Sequence, residues 1–218
     1  PKLSLKEASS YNLKAIKLYE WFLRDFPKDS KVDQAYFFLG YNYFELYKID
    51  KALGYYRRLT KEFPKSKYVS EAYFAIAEYY FDNEKWQDAL KSYYAVSKIK
   101  VSRLYTFALY KLAWCHYKSG NVKKAMAYLE RVIREGRNQT SDSARKIRLA
   151  DEAKKDLIPF FAELGAYKNA ESYFSKVVRS GEIDRMIERL AYYYADTGNK
   201  KGARFYFKKM IRKNPNTP

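Results

Sequence analysis

The sequence predicts an all-α fold, a solenoid of stacked helix pairs, and three observations predict it. The first is a pattern that recurs six times: Ala15-x-x-x-Tyr19-x-x-Phe22, then Ala52/Tyr56/Leu59, Ala89/Tyr93/Val96, Ala125/Leu129/Val132, Ala170/Phe174/Val177 and Ala203/Phe207/Met210, at spacings of 37, 37, 36, 45 and 33 residues. The second is another signature upstream of the alanine, as in Tyr36-x-x-Leu39-Gly40-x-x-Tyr43, Tyr73/Ile76/Ala77/Tyr80, Leu109/Leu112/Ala113/His116 and Ile187/Leu190/Ala191/Tyr194. Offsets of three and four place each set on one face of a helix. The third is composition: 218 residues hold eight Gly and six Pro, and 47% are hydrophobic, which supports a packed core and argues against a loop-rich β-sandwich.

Taken in order, the helices are expected near residues 13–26, 31–46, 49–62, 67–82, 85–98, 103–118, 121–136, 142–164, 167–179, 183–196 and 199–213, with a short or continuous helix before residue 13. The small residues Gly40, Ala77, Ala113 and Ala191 mark where the two helices of a pair approach most closely, facing the alanine of the second helix. Gly120, Gly165 and Gly198 fall just after first helices, where a left-handed turn suits glycine. Pro27, Pro64 and Pro215 stop second helices. The 45-residue interval contains the turn-prone stretch Arg137–Ser143, with Ser141 or Asp142 able to cap a helix that starts about two turns early. An extended helix protruding near 138–150 is expected there, either as a partner contact or as a neutral lengthening. Lys154, where an apolar residue is usual, and Pro159 inside the same helix predict irregular or kinked packing.

This layout resembles the tetratricopeptide repeat over almost the whole chain. The resemblance implies a right-handed superhelix of about five and a half to six repeats, with approximate bounds 1–29, 30–66, 67–102, 103–137, 138–181 and 182–218, in one solenoid domain spanning 1–218. The joints Asp25-Phe26-Pro27-Lys28-Asp29-Ser30 and Glu62-Phe63-Pro64-Lys65-Ser66-Lys67, followed by Ala35-Tyr36-Phe37 and Ala72-Tyr73-Phe74, are similar to long-period repeats of bacterial cell-envelope proteins, of the BamD, CpoB and gliding-motility types. That resemblance implies an exported protein, periplasmic and anchored to the outer membrane through a segment outside this sequence. Cytoplasmic members share the same core, so a cytoplasmic protein is the alternative. The chain opens at Pro1 rather than Met, so it is expected to be a piece of a longer protein, and any export signal is expected upstream. Phe205, Phe207, Met210 and Ile211 on the last helix lack a polar capping helix, so more chain or a partner is expected to cover them.

One cysteine forms neither an intrachain disulfide nor a thiolate zinc site, and no run approaches the roughly 18 to 20 apolar residues of a membrane span. No glycine-rich phosphate loop, metal-ligand spacing or paired-carboxylate motif is present, so no catalytic residue, metal or cofactor is expected, and a non-enzymatic role is. His116 holds the place of Tyr43, Tyr80 and Tyr194, which makes it a packing residue. Its neighbour Cys115 points about 100° away on the helix and cannot pair with it as nucleophile and base. Asn138-Gln139-Thr140 is formally a glycosylation sequon.

The family's groove-facing places, two, five, nine and twelve residues into each first helix, map onto Gln34, Phe37, Tyr41 and Phe44, onto Glu71, Phe74, Glu78 and Phe81, and onto Phe107, Tyr110, Trp114 and Tyr117. The resemblance implies an aromatic concave groove that holds a partner peptide or helix, aromatic rings being the currency of interface hot spots. Packing of the same rings on neighbouring repeats is the other reading. The family's carboxylate clamp of Lys, Asn and Arg is absent, because Phe37, Tyr41, Phe74 and Glu78 stand in its place. The 43 Lys and Arg against 25 Asp and Glu give a net charge of +18, and a set of the cations that includes Arg57, Arg58, Lys61, Lys123, Lys124, Arg134, Lys200 and Lys201 falls mostly on second helices. A solvated outer face or an anionic surface explains them. Nucleic acid fits less well, since aromatic and basic residues do not interleave on one surface. The expected function is a protein-binding scaffold or adaptor in an envelope assembly or motility complex. The alternative is a cytoplasmic adaptor, or a protein that uses its basic outer face on nucleic acid or another anionic surface.

Overall fold

The computed structural model describes residues 5–137 and 143–213, and among these it contains eleven α-helices and no strand. The chain divides into two compact units, Pro1–Tyr105 and Thr106–Pro218. The sequon at 138–140, the caps at 141–142 and the stop at Pro215 lie outside the described residues.

The first unit holds α1 (Leu5–Asp25), α2 (Val32–Glu45), α3 (Ile49–Glu62), α4 (Val69–Asp82) and α5 (Trp86–Val96). Helices α2/α3 and α4/α5 pack as pairs, and α1 packs on α2 as a second helix would. Leu39, Ala52, Leu59, Ala72, Ala77, Ala89, Tyr93 and Val96 are fully buried, so the repeating small and large positions are the core itself. Each large apolar side chain buried this way contributes about 1.5 to 3 kcal/mol. Gly40 is where α2 meets α3: a β-carbon there would lie 2.5 Å from Cε1 of Tyr56. The polar ends of the tyrosines are tied to carboxylates on adjacent helices, Tyr43 donating to Glu20 at 2.5 Å and Tyr36 to Glu62 at 3.1 Å.

The second unit holds α6 (Tyr105–Lys118), α7 (Val122–Glu135), α8 (Ser143–Glu163), α9 (Ala170–Val177), α10 (Ile183–Asp196) and α11 (Lys200–Lys213), with 3₁₀ turns at Tyr167–Asn169 and Ser180–Glu182. Its core is built from Leu109, Leu112, Leu129, Ile133, Leu157, Phe160, Phe174, Leu190, Tyr194 and Tyr206. Tyr173 donates to Glu130 at 2.6 Å, joining α9 to α7. Helix α8 runs through Pro159 and has 21 residues, the length expected from the 45-residue interval. It does not stand clear of the unit: Leu149 and Ala150 are buried, and Ala150 and the Lys146 carbonyl fill the space beside Gly136 at the end of α7. Lys154, at an apolar place of the repeat, is 16% exposed and answers with an ion pair, its Nζ 2.5 Å from Glu182 and 3.1 Å from Asp151.

Helix bounds follow the periodicity closely, with α3 and α10 as expected. Two first helices begin two residues late, at Val69 and Tyr105, because the joint before each closes as successive tight turns: Ser66 N–H bonds Phe63 O and Val69 N–H bonds Ser66 O, and Ser102 and Tyr105 repeat this with Ile99. The turns inside the pairs share one geometry. Lys48 N–H bonds Tyr43 O, Lys85 N–H bonds Tyr80 O and Asn121 N–H bonds His116 O, the wrap of a Schellman cap. The residue that must take positive φ is Gly120 (77°), Gly165 (69°) or Gly198 (79°) as expected, but Tyr47 and Glu84, both at 56°, take it in the first unit.

Candidate partner-docking face

The expected groove residues all lie on first helices. On α2, Phe37 is half-buried and stacks on Tyr68 (centroids 4.8 Å apart, planes at 15°), with Phe38 edge-on at 5.4 Å. Phe44 packs against the cluster of Ile16, Leu39, Tyr43 and Ala52. Tyr41, between them, is 48% exposed. On α4, Phe74 meets Tyr93 at 5.6 Å and Phe81 meets Trp86 at 5.3 Å, while Glu78 accepts the Tyr93 hydroxyl and Glu71 accepts from Ser70 at 2.6 Å and lies 3.5 Å from Arg103. The structure therefore packs these rings, each half-buried, against their neighbours, and leaves Tyr41 more exposed than any of them.

On α6 the same places are tied to α8. Tyr110 Oη and Trp114 Nε1 both donate to Asp156 Oδ2, at 2.5 Å and 3.1 Å. Tyr117 stacks on Phe160 at 3.9 Å, and Trp114 meets Phe160 edge-on at 5.4 Å. Phe107 is half-buried on the same helix. Burial raises the Asp156 carboxyl above its ordinary range even though both donors favour its ionised form. Burial, then the Asp156 carboxylate, pushes the Tyr110 hydroxyl up to about 12. Tyr110 and Trp114 thus hold two first helices together as well as lining their face.

Sequence reasoning missed Asp156, which lies 42 and 46 residues beyond the two donors. It also stopped at α6. The register that gives Gln34 and Tyr41 on α2, carried to α10 through Ile187 and Tyr194, gives Arg185 and Tyr192, and Tyr192 is 55% exposed as Tyr41 nearly is.

His116 stacks on Tyr128 at 5.3 Å, a packing role, and burial, then the nearby Lys124, pushes its pKa down. Cys115 is buried. Among the described residues no group of three His, Cys, Asp or Glu is placed to hold a metal, and no helix is long and apolar enough to cross a membrane. On the second helices several cations have partners, Arg57 with the Tyr80 hydroxyl at 2.6 Å, Arg58 with Glu62 at 3.0 Å and Lys213 with Asp184 at 2.7 Å, whereas Lys61, Lys123, Lys124 and Arg134 stand exposed.

Helix pairs with buried small residues at each crossing and an aromatic first-helix face define a helical-repeat protein. The family model described as Tetratricopeptide repeat matches residues 34–66, 107–135 and 188–217. Those three segments carry tetratricopeptide repeats. Solved structures with the same fold include the MamA protein, 18% identical with a TM-score of 0.53 over 86% of this chain and 94% of that one. YrrB, described as a TPR protein with an unusual peptide-binding site, is 17% identical with a TM-score of 0.53 over 91% and 93%. BtubC from P. vanneervenii is 14% identical with a TM-score of 0.56 over 100% and 94%. No curated protein matches the chain.

Proposed function

We propose that the protein is a non-catalytic adaptor that docks a partner peptide or helix on the first-helix face of its first unit. The observation that carries this reading is Tyr41, 48% exposed and flanked on α2 by Phe37 and Phe44, both half-buried. Rings already ordered by packing lose little further entropy when a partner covers their free edges, which is the composition and preorganisation of an interface hot spot. The peptide-binding site for which YrrB is described supports the same use of this fold. We place the adaptor in a bacterial envelope complex, of assembly or motility machinery, on the strength of the Phe-Pro joints at Phe26-Pro27 and Phe63-Pro64.

A photo-crosslinking residue at Tyr41 tests this against the same residue at Tyr94, equally exposed at 48% but on the second helix α5. A discrete adduct from position 41 alone, recovered with the envelope fraction of the native host, is the expected result. Equal labelling at both positions, or none at 41, removes the docking face. A discrete adduct recovered only with the cytosol keeps the face and removes the envelope setting.

A further inference from the structure

We propose that the second unit carries a separate subsite for acidic peptide, in the cleft between α8 and α10. The cleft has a volume of about 310 Å³, at the small end of ligand-sized sites, and the buried Met186 contributes to its wall. Its charges are unequally used. Lys154 is committed to Glu182 and Asp151, and Lys155 to Glu152 at 2.8 Å. Three exposed guanidinium groups remain, Arg148 from α8 and Arg185 and Arg189 from α10, and none of them has a carboxylate partner among the described residues. Arg185 and Arg189 are four residues apart and therefore neighbours on one helical face, a spacing at which like charges repel. That repulsion is relieved by an anion placed between them.

The chemistry selects the occupant. Guanidinium forks pair bidentately with carboxylates, and carboxylates spaced along a peptide can reach guanidinium groups on two helices while an apolar side chain rests on Met186. A nucleic-acid strand fits worse, because Asp151 and Glu152, although paired with Lys154 and Lys155, keep negative charge beside the cleft and oppose a ligand charged at every unit more than a peptide whose carboxylates are spaced apart. Arg185 occupies the groove place of α10, as Gln34 does on α2, so the site is a second, anion-selective position on a first-helix face. It does not depend on the aromatic docking reading, since it involves different helices and different chemistry.

The test is fluorescence anisotropy with a labelled octapeptide of alternating Glu and Leu, its Gln and Leu counterpart, and a single-stranded oligonucleotide of equal charge. Saturable binding of the Glu peptide is expected, with a loss of about tenfold or more in Arg185→Ala/Arg189→Ala. A smaller loss is expected in Arg185→Lys/Arg189→Lys, which keeps the charge but not the fork. Lys200→Ala/Lys201→Ala, which removes the same charge from α11, should bind as the parent does. Equal loss in this last variant, undiminished binding in Arg185→Ala/Arg189→Ala, or tighter binding of the oligonucleotide than of the peptide overturns the proposal. Far-UV circular dichroism of each variant confirms that binding is compared between folded proteins.

Discussion

Gly40 on α2 lies directly under the ring of Tyr56 on α3, so close that a β-carbon would stand 2.5 Å from Cε1 and 2.6 Å from Cδ1. Tyr56 is itself buried, at 3% exposure. Gly40→Ala should therefore destabilise the first unit by about 1 to 3 kcal/mol, the usual cost of overpacking. Ala89→Leu, at the fully buried small position of α5, should cost a similar amount, again about 1 to 3 kcal/mol. Urea denaturation measures both, and an unchanged midpoint for either would mean that the helix crossing is not where the small residue sits.

Tyr47 and Glu84 hold the left-handed turn position that glycine holds in the second unit, and both are exposed. Tyr47 is 91% exposed and loses no packing on replacement. Tyr47→Gly and Glu84→Gly should each stabilise the protein by roughly 0.5 to 1 kcal/mol, the relief of positive φ exceeding the extra unfolded-state entropy of glycine. Thermal melts of the two single variants check it. A lowered melting temperature in both would show that the side chains, not the backbone, determine these turns.

The buried Asp156 carries a pH signature. Its folded-state pKa is raised by burial, so above the ordinary value of 3.8 the folded protein retains a proton that the unfolded chain has lost, and stability from this group falls as pH rises through that window. Asp156→Asn keeps an oxygen to accept from Tyr110 and Trp114 but cannot ionise. The stability of the parent relative to this variant should decline with rising pH. A difference that grows with pH would mean that the two hydrogen bonds outweigh burial.

Lys154 is a polar answer at an apolar position. Lys154→Met leaves Glu182 with only the Arg179 backbone N–H at 3.1 Å, and should cost about 1 kcal/mol. Adding Glu182→Gln should recover most of the loss, because the uncompensated charge is then gone. Chemical denaturation of the single and double variants decides it, and a double variant no better than the single one would show that Lys154 stabilises through its stem rather than its charge.

Much of this architecture was legible because a tetratricopeptide helix pair is a local object. The contacts that define α2/α3 or α10/α11 join residues within one period, and the alternation of small and large positions records them directly. Lys154 and Pro159 were visible as departures, and the length of α8 followed from the 45-residue interval. What was not legible depends on rotation of one first helix against the next. Asp156 reaches Tyr110 and Trp114 only because of the phase that α8 adopts after an irregular interval, and no pattern in the sequence encodes that phase. The sequence left open whether the groove rings face out or pack, and both occur: Phe37 lies on Tyr68 of the next repeat and Phe74 on Tyr93 of its own pair.

The carboxylates of Glu78, Glu130 and Asp156, half-buried and each bonded to a tyrosine hydroxyl, change how the molecule looks from a distance. With these three acids partly covered and lysines such as Lys61, Lys123 and Lys200 left outside, the excess of +18 is carried on exposed side chains and projects a positive field into the solvent. At physiological salt that field persists for about 8 Å, so an approaching anionic molecule is drawn in before any side chain touches it. The chain is thereby equipped to accelerate encounter with such a molecule independently of how tightly the final complex holds.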